Sequence, residues 1–202
     1  MPCPVIRDLP VFADPLWAQQ CLAYHVQAQP DAATIVRLAA AQQYLGAAIP
    51  MALHLIPARA LHCSVVTIIS PDGPMIDKAP AWQKIRDAMS DDLVARIRLA
   101  EPTSIMFDEI RVTPAAIIAV TTEQPSLFRE LREIFSELLD DLGLPARRYT
   151  QTHVTLARFT QDGHIDRPAL LRLRDAEPIV AQFSALRLVA ERQYPSLELE
   201  EI

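Results

Sequence analysis

Apolar positions along this chain change their period several times, and each change marks an element. Around 61–70 and 149–160 the residues form Val- and Ile-rich or alternating runs with the two-residue period of a strand. Comparable runs predict strands at 17–26, 104–112, 115–121 and 179–192, and a short extended segment at 51–56. Helical spacing takes over at 81–99, where Trp82, Ile85, Met89, Leu93 and Ile97 recur on one face. It returns at 126–142, with Leu127, Leu131, Ile134, Leu138 and Leu139 inward, Ser126 as the cap and Gly143 as the stop. Asp31 caps a helix to about 45, which Gly46 ends, and Asp166 with Pro168 opens a short one through 173.

The breaks are as regular as the runs. Residues 1–15 form an extended, proline-punctuated arm, and Pro71-Asp72-Gly73-Pro74 turns the chain sharply. The tail 197–202 alternates apolar and acidic residues, as an edge strand does. Between arm and tail one order of elements occurs twice: strand, helix, motif strand, helix, strand, over about 17–112 and again over about 115–192. The pattern predicts an α+β fold in which a duplicated unit makes a single bilobal domain, 16–202, around a central cleft.

Composition narrows the function classes. The chain has 202 residues, half of them hydrophobic, with 17 prolines and 4 glycines, which suits a globular domain with many short elements. Four glycines leave no Gly-x-Ser-x-Gly elbow, phosphate loop or dinucleotide fingerprint. A net charge of −6 argues against binding of long duplex nucleic acid through its phosphates, and points to a small or short substrate. Three cysteines without framework spacing suit a reducing cytoplasm. No stretch reads as a signal peptide or membrane span, so no membrane partner is expected, and the chain is expected to act as a monomer.

Two tetrads carry the chemistry. His62-Cys63-Ser64-Val65 and His153-Val154-Thr155-Leu156 share one pattern: histidine, any residue, hydroxyl residue, apolar residue. On a strand His62 and Ser64 point one way, as do His153 and Thr155, while Cys63 and Val154 point the other. Alternation therefore makes Cys63 a packing residue and not the nucleophile its neighbour suggests. Arg147, Arg148 and Arg158 cluster near the second tetrad, and Arg59 precedes the first. Strict alternation places Arg158 on the face opposite Thr155, so it contributes only if the strand bulges or twists. His25, His54 and His164 lack a hydroxyl two residues on and read as ordinary core or surface histidines, and Tyr149, Phe159 and Tyr194 as packing aromatics.

The paired motifs resemble those of the two-histidine (2H) phosphoesterase superfamily, which includes bacterial RNA 2′,3′-cyclic phosphodiesterases, also called 2′-5′ RNA ligase-like proteins. His153-Val154-Thr155-Leu156-Ala157-Arg158 is similar to the bacterial signature, and the order of elements extends the likeness over 17–194. The first motif departs from the pattern. Ser64 stands for the commoner Thr and Val65 for the commoner Leu, and the apolar-Gly ending is missing, which leaves subfamily and substrate open. The resemblance implies two antiparallel sheets around the cleft with helices outside, and a hydrolase in RNA processing with no metal and no cofactor. Ser64 and Thr155 would bind the substrate phosphate, with Arg158 as a weaker third contact.

Two histidines suit the opening of a 2′,3′-cyclic phosphate or a 2′-5′ linkage in nucleotides or short RNA. With a pKa near 6.5, one is neutral while the other is protonated. Either can serve as base or acid, and the roles exchange in the reverse reaction; the assignment taken here is His153 as base and His62 as acid. Two other readings stand beside it. One is a nucleotide-binding module without turnover, the other a 2H enzyme for a non-nucleotide phosphoester.

Overall fold

A computed structural model describes residues 8–72 and 77–202, so Cys3, the first part of the arm and the Gly73-Pro74 half of the expected turn lie outside the described residues. In chain order the elements are β1 (Leu9–Val11), β2 (Gln20–Pro30), α1 (Ala32–Ala48), β3 (Leu53–Leu55), a 3₁₀ turn at Ala58–Ala60, and β4 (Cys63–Ile69). Then follow α2 (Lys78–Ala88), α3 (Asp91–Arg98), β5 (Thr103–Phe107), β6 (Glu109–Val112), β7 (Ala116–Thr121) and α4 (Ser126–Asp141). The last are β8 (Thr152–Phe159), β9 (Gly163–Ile165), α5 (Arg167–Arg174), β10 (Ile179–Gln193) and β11 (Glu198–Glu201).

Capping chemistry sets several boundaries. The Asp31 carboxylate accepts from Thr34 N at 2.7 Å to start α1, and Asp166 accepts from Ala169 N at 2.9 Å to start α5. Gly46, expected to stop α1, lies inside it. The helix runs on because Leu45, Ala48 and Ile49 are all buried, and that burial outweighs the ~1 kcal/mol cost of an interior glycine. The single helix expected over 81–99 is two: α2 ends at Ala88, and the Ser90 hydroxyl accepts from Leu93 N at 3.2 Å to start α3 afresh. Ser126 is not a cap, since Pro125 holds that position without a side-chain bond. Gly143, at φ +67°, does end α4, in the left-handed conformation that suits glycine. The buried face of α4 is centred on Phe128, Leu131, Arg132, Phe135 and Leu139, rotated from the leucine face the spacing suggested.

The strands pair antiparallel throughout. One lobe carries β11-β10-β2-β4, with β5 paired to the start of β10; the other carries β8-β7-β6, with β3 paired to β8. The run at 104–112 breaks at Asp108, which lets β5 join one lobe and β6 the other. Halves and lobes do not coincide. β10 comes from the second half of the chain and pairs β2 from the first; α4 packs on β4, and α1 packs on both β8 and β10. Apolar faces turned toward the helices make one core, including Trp82 stacked on Tyr24 at 4.4 Å.

The described part of the N-terminal arm is built into the second lobe. β1 pairs β9, placing His164 in a strand opposite Pro10. Asp14 N donates to the Phe159 carbonyl at 3.1 Å, and Ala13 N to Asp162 at 2.8 Å.

Candidate active site

β4 and β8 meet through one pair of facing residues, Cys63 and Val154, both fully buried in the core. Their chain neighbours point to the opposite face. Antiparallel register then sets Ser64 across from His153 and His62 across from Thr155, so the two motifs form a two-by-two array over the seam. His62 itself stands just ahead of β4, not inside it as the sequence pattern suggested. All four side chains line one cavity of about 280 Å³. The Cys63 thiol, pushed up to about 12 by burial, is a core group.

A bulge follows each motif at the same offset. Val26 and Gln27 face Val66 and Ser64, leaving Val65 as the extra residue; Ile117 and Ile118 face Ala157 and Thr155, leaving Leu156 extra. A helix supplies a side-chain donor to each bulged carbonyl, and Leu156 O also accepts from Ile56 N at 3.0 Å. Arg132 Nε on α4 donates to Val65 O at 2.9 Å, and Gln42 Nε2 on α1 donates to Leu156 O and to Ile56 O, both at 2.8 Å. The extra residue also resets the side-chain phase. Thr67 after the first bulge and Arg158 after the second therefore reach the cleft face, and both line the cavity.

His62 is oriented by its own turn. Its Nδ1 lies 2.8 Å from the Ala60 carbonyl and its Nε2 3.2 Å from Ser64 Oγ, which assigns the proton of the neutral ring to Nδ1 and leaves Nε2 as an acceptor. Burial lowers His62 to about 4, the proximity of His25 and Arg187 pressing the same way and the Ala60 carbonyl and Glu191 opposing. Burial also lowers His153 to about 4, reinforced by Arg147, Arg158 and Arg132. At neutral pH both rings are uncharged.

Arg158 is held from two sides. Its guanidinium lies 3.2 Å from Asp14 Oδ2 and 5.1 Å from the Tyr194 ring centre, and its Nε is buried without a hydrogen-bond partner among the described residues. Arg147 also lines the cavity; Arg148 and Arg59 do not. The Tyr149 ring has Arg132 at 4.6 Å and Arg147 at 5.8 Å, and its hydroxyl accepts from Thr67 N. Tyr149 and Tyr194 are thus cavity residues, whereas Phe159 is fully buried core.

The first lobe adds groups that motif reasoning missed. His25 and Glu191 line the cavity as a buried pair, Nε2 to Oε2 at 2.9 Å. Burial raises the Glu191 carboxyl, but hydrogen bonds from His25 and from Ser196 N outweigh it, and the net shift is downward. Gln27 Nε2 donates to Ser196 Oγ at 2.9 Å, and Arg187 donates to Gln27 Oε1 at 3.1 Å. The available signal was alternation: His25 and Gln27 interrupt Leu22, Tyr24, Val26 and Ala28 at every second position of β2. His54, by contrast, stacks on Trp17 at 4.3 Å, away from the cavity lining. Among the described residues no group of three His, Cys, Asp or Glu is placed to hold a metal ion, and no helix is long and apolar enough to cross a membrane.

No protein-family model matches the chain, and no curated protein does. Solved structures do. E. coli LigT in apo form superposes with a TM-score of 0.57 at 11% identity, over 91% of this chain and 95% of LigT. A conserved protein of unknown function, ATU0111 from Agrobacterium tumefaciens, gives 0.55 at 15% identity over 91% and 85%. TT0787 from Thermus thermophilus gives 0.52 at 16% identity over 89% and 97%. At these identities the likeness is one of fold, and it spans nearly the whole chain. The chain has the LigT-like fold, and its paired motifs resemble those of the two-histidine phosphoesterase superfamily.

Proposed function

We propose that this protein is a phosphoesterase that opens 2′,3′-cyclic phosphates, or cleaves 2′-5′ linkages, of nucleotides or short RNA by acid–base catalysis from His62 and His153. The observation that carries this reading is the array at the seam, with two imidazoles and two hydroxyls on one cavity wall in opposed pairs. A crystal structure of LigT in complex with phosphate, at 13% identity and a TM-score of 0.53, supports a phosphoryl ligand for this fold.

The charges around each ring divide the roles. Arg147, Arg158 and Arg132 disfavour an imidazolium at His153, which suits a base. At His62 the Ala60 carbonyl and Glu191 favour one against His25 and Arg187, and the Ala60 hydrogen bond, which has no counterpart at His153 among the described residues, suits an acid once an anionic substrate offsets the cost of burial. His153 takes a proton from water as its oxygen bonds to phosphorus. The bond from phosphorus to one ribose oxygen breaks, and His62 gives that oxygen its proton, leaving a phosphomonoester and a free hydroxyl. Ser64 and Thr155 donate to the non-bridging oxygens, where charge builds up, and Arg158 supplies a further cationic contact. A cavity of about 280 Å³ lies just below the ~300–1,000 Å³ range of ligand pockets, which suits a substrate no larger than one nucleotide unit. Two buried free thiols, Cys21 and Cys63, accord with a cytoplasmic setting.

The test is hydrolysis of a panel of 2′,3′-cyclic mononucleotides with EDTA present. Wild type is expected to turn over at least one, and His62→Ala and His153→Ala each to lose about 10²–10⁴-fold. A wild type inactive on the whole panel would move the reading to a non-nucleotide phosphoester or to a binding module.

A further inference from the structure

The two motifs are matched, but their surroundings are not. Beside Thr155 and His153 on β7 stand Ile118 and Val120, buried and apolar. In the corresponding row beyond Ser64 stand Gln27 on β2 and then Arg187 on β10. His25 pairs with Thr67 in the next row, one strand spacing, ~4.8 Å, from β4. The cavity extends over this polar side, where His25, Glu191, Tyr194, Pro195 and Ser196 line it.

Two ordered chains end there. Glu191 accepts from His25 Nε2, and Nδ1 is buried with no partner among the described residues, on a cavity-lining residue only 6% exposed. Arg187 donates to Gln27, and Gln27 donates to Ser196 Oγ, whose own proton has no acceptor among the described residues. Ser196 is held at φ +55°, with its N–H on Glu191.

We infer that this end of the cavity is a hydroxyl subsite, in which His25 Nδ1 and Ser196 Oγ together take a free hydroxyl on a carbon next to the phosphoester, carried by a 2′-5′-linked or other acyclic substrate or by the product of ring opening. The subsite rests on the phosphoesterase reading and names the alcohol side of its substrate as a sugar or other polyol. A hydroxyl both donates and accepts, so it satisfies Nδ1 in either protonation state of the ring. A second anionic group meets the Glu191 carboxylate there. An apolar group leaves the buried Nδ1 without a partner, which is costly. Opening a cyclic phosphate frees a hydroxyl of this kind beside the new phosphomonoester.

Calorimetric binding to the full chain tests this with glycerol 2-phosphate, isopropyl phosphate and inorganic phosphate. The two esters share a branched three-carbon skeleton, and only the first carries hydroxyls next to the ester carbon. Wild type is expected to bind glycerol 2-phosphate about tenfold tighter than isopropyl phosphate, the worth of about one well-made hydrogen bond. The ratio should fall toward one in His25→Gln, which keeps a donor for Glu191 without the Nδ1 acceptor, and in the milder Ser196→Ala. Equal affinities in wild type, or a ratio kept in both variants, overturns the subsite while phosphate binding leaves the phosphoryl site standing. Failure of inorganic phosphate to bind wild type removes the phosphoesterase reading, and the subsite with it.

Discussion

Neither His62 nor His153 carries a charge near pH 7, although one of the two proposed roles needs a proton. Burial lowers both His62 and His153 to about 4, so the proton of the acid must arrive with the ligand. Binding of dimethyl phosphate, an anion with no titrating group near neutrality, is expected to take up close to one proton. Calorimetry in buffers of different ionisation enthalpy reads this directly, and zero uptake would contradict the assigned roles. Stability carries the same signature. The unfolded rings titrate near 6.5 and the folded ones near 4, so between these values the unfolded chain binds more protons. Urea stability should therefore fall as pH drops from about 6.5 to 4, and His153→Gln should flatten that slope. At this scale the motif residues were legible, because a repeated tetrad is a local pattern. His25 and Glu191 were not: they lie on strands far apart in sequence, and only the sheet register makes them a pair.

The elements owe their function to a pair of irregularities. Without the extra residues Val65 and Leu156, Thr67 and Arg158 would face the core, since strand side chains alternate. The sequence stated this condition for Arg158 but showed no bulge, because a bulge is a relation between two strands. Its support was also hidden. Gln42 looks like a polar helix residue, and Arg132 sits among hydrophobic positions of α4. Removing either donor is expected to be costly. Gln42→Leu takes the side-chain donor from the Ile56 carbonyl, while the Leu156 carbonyl keeps its bond from Ile56 N, and Arg132→Met takes the side-chain donor from Val65. Each should lower stability by about 1–3 kcal/mol in denaturant titrations, the usual penalty for an unmatched buried polar group. Ordinary surface-scale losses, within about 0.5 kcal/mol, would show that water takes over the carbonyls.

For the whole molecule, lobes and halves of the chain are different things. Capping residues and hydrophobic periods are local, and they gave most elements with boundaries off by a few residues. Which strand lies beside which depends on contacts remote in sequence, so the exchange of β10, α1 and α4 between halves had no local sign. The arm is part of that exchange, because Asp14 puts its carboxylate on Arg158, the two side chains only 5% and 17% exposed. Asp14→Ala leaves the guanidinium partly buried without its counter-charge and should cost about 3 kcal/mol of stability. Adding Arg158→Ala should restore part of that loss in a double-mutant cycle, whereas additive losses would show that the pair is not coupled.

The unlike neighbours of the two motifs, Gln27 and Arg187 beside one and Ile118 and Val120 beside the other, bear on the stereochemical course of the reaction. Two matched motifs alone would accept a cyclic ester in either of two orientations related by a half-turn, and would sever either of its ring oxygens. Unequal walls admit one orientation. On the proposed function the protein should then be regioselective, releasing one phosphomonoester isomer from each cyclic substrate, and phosphorus NMR of the product mixture would show a single monoester resonance.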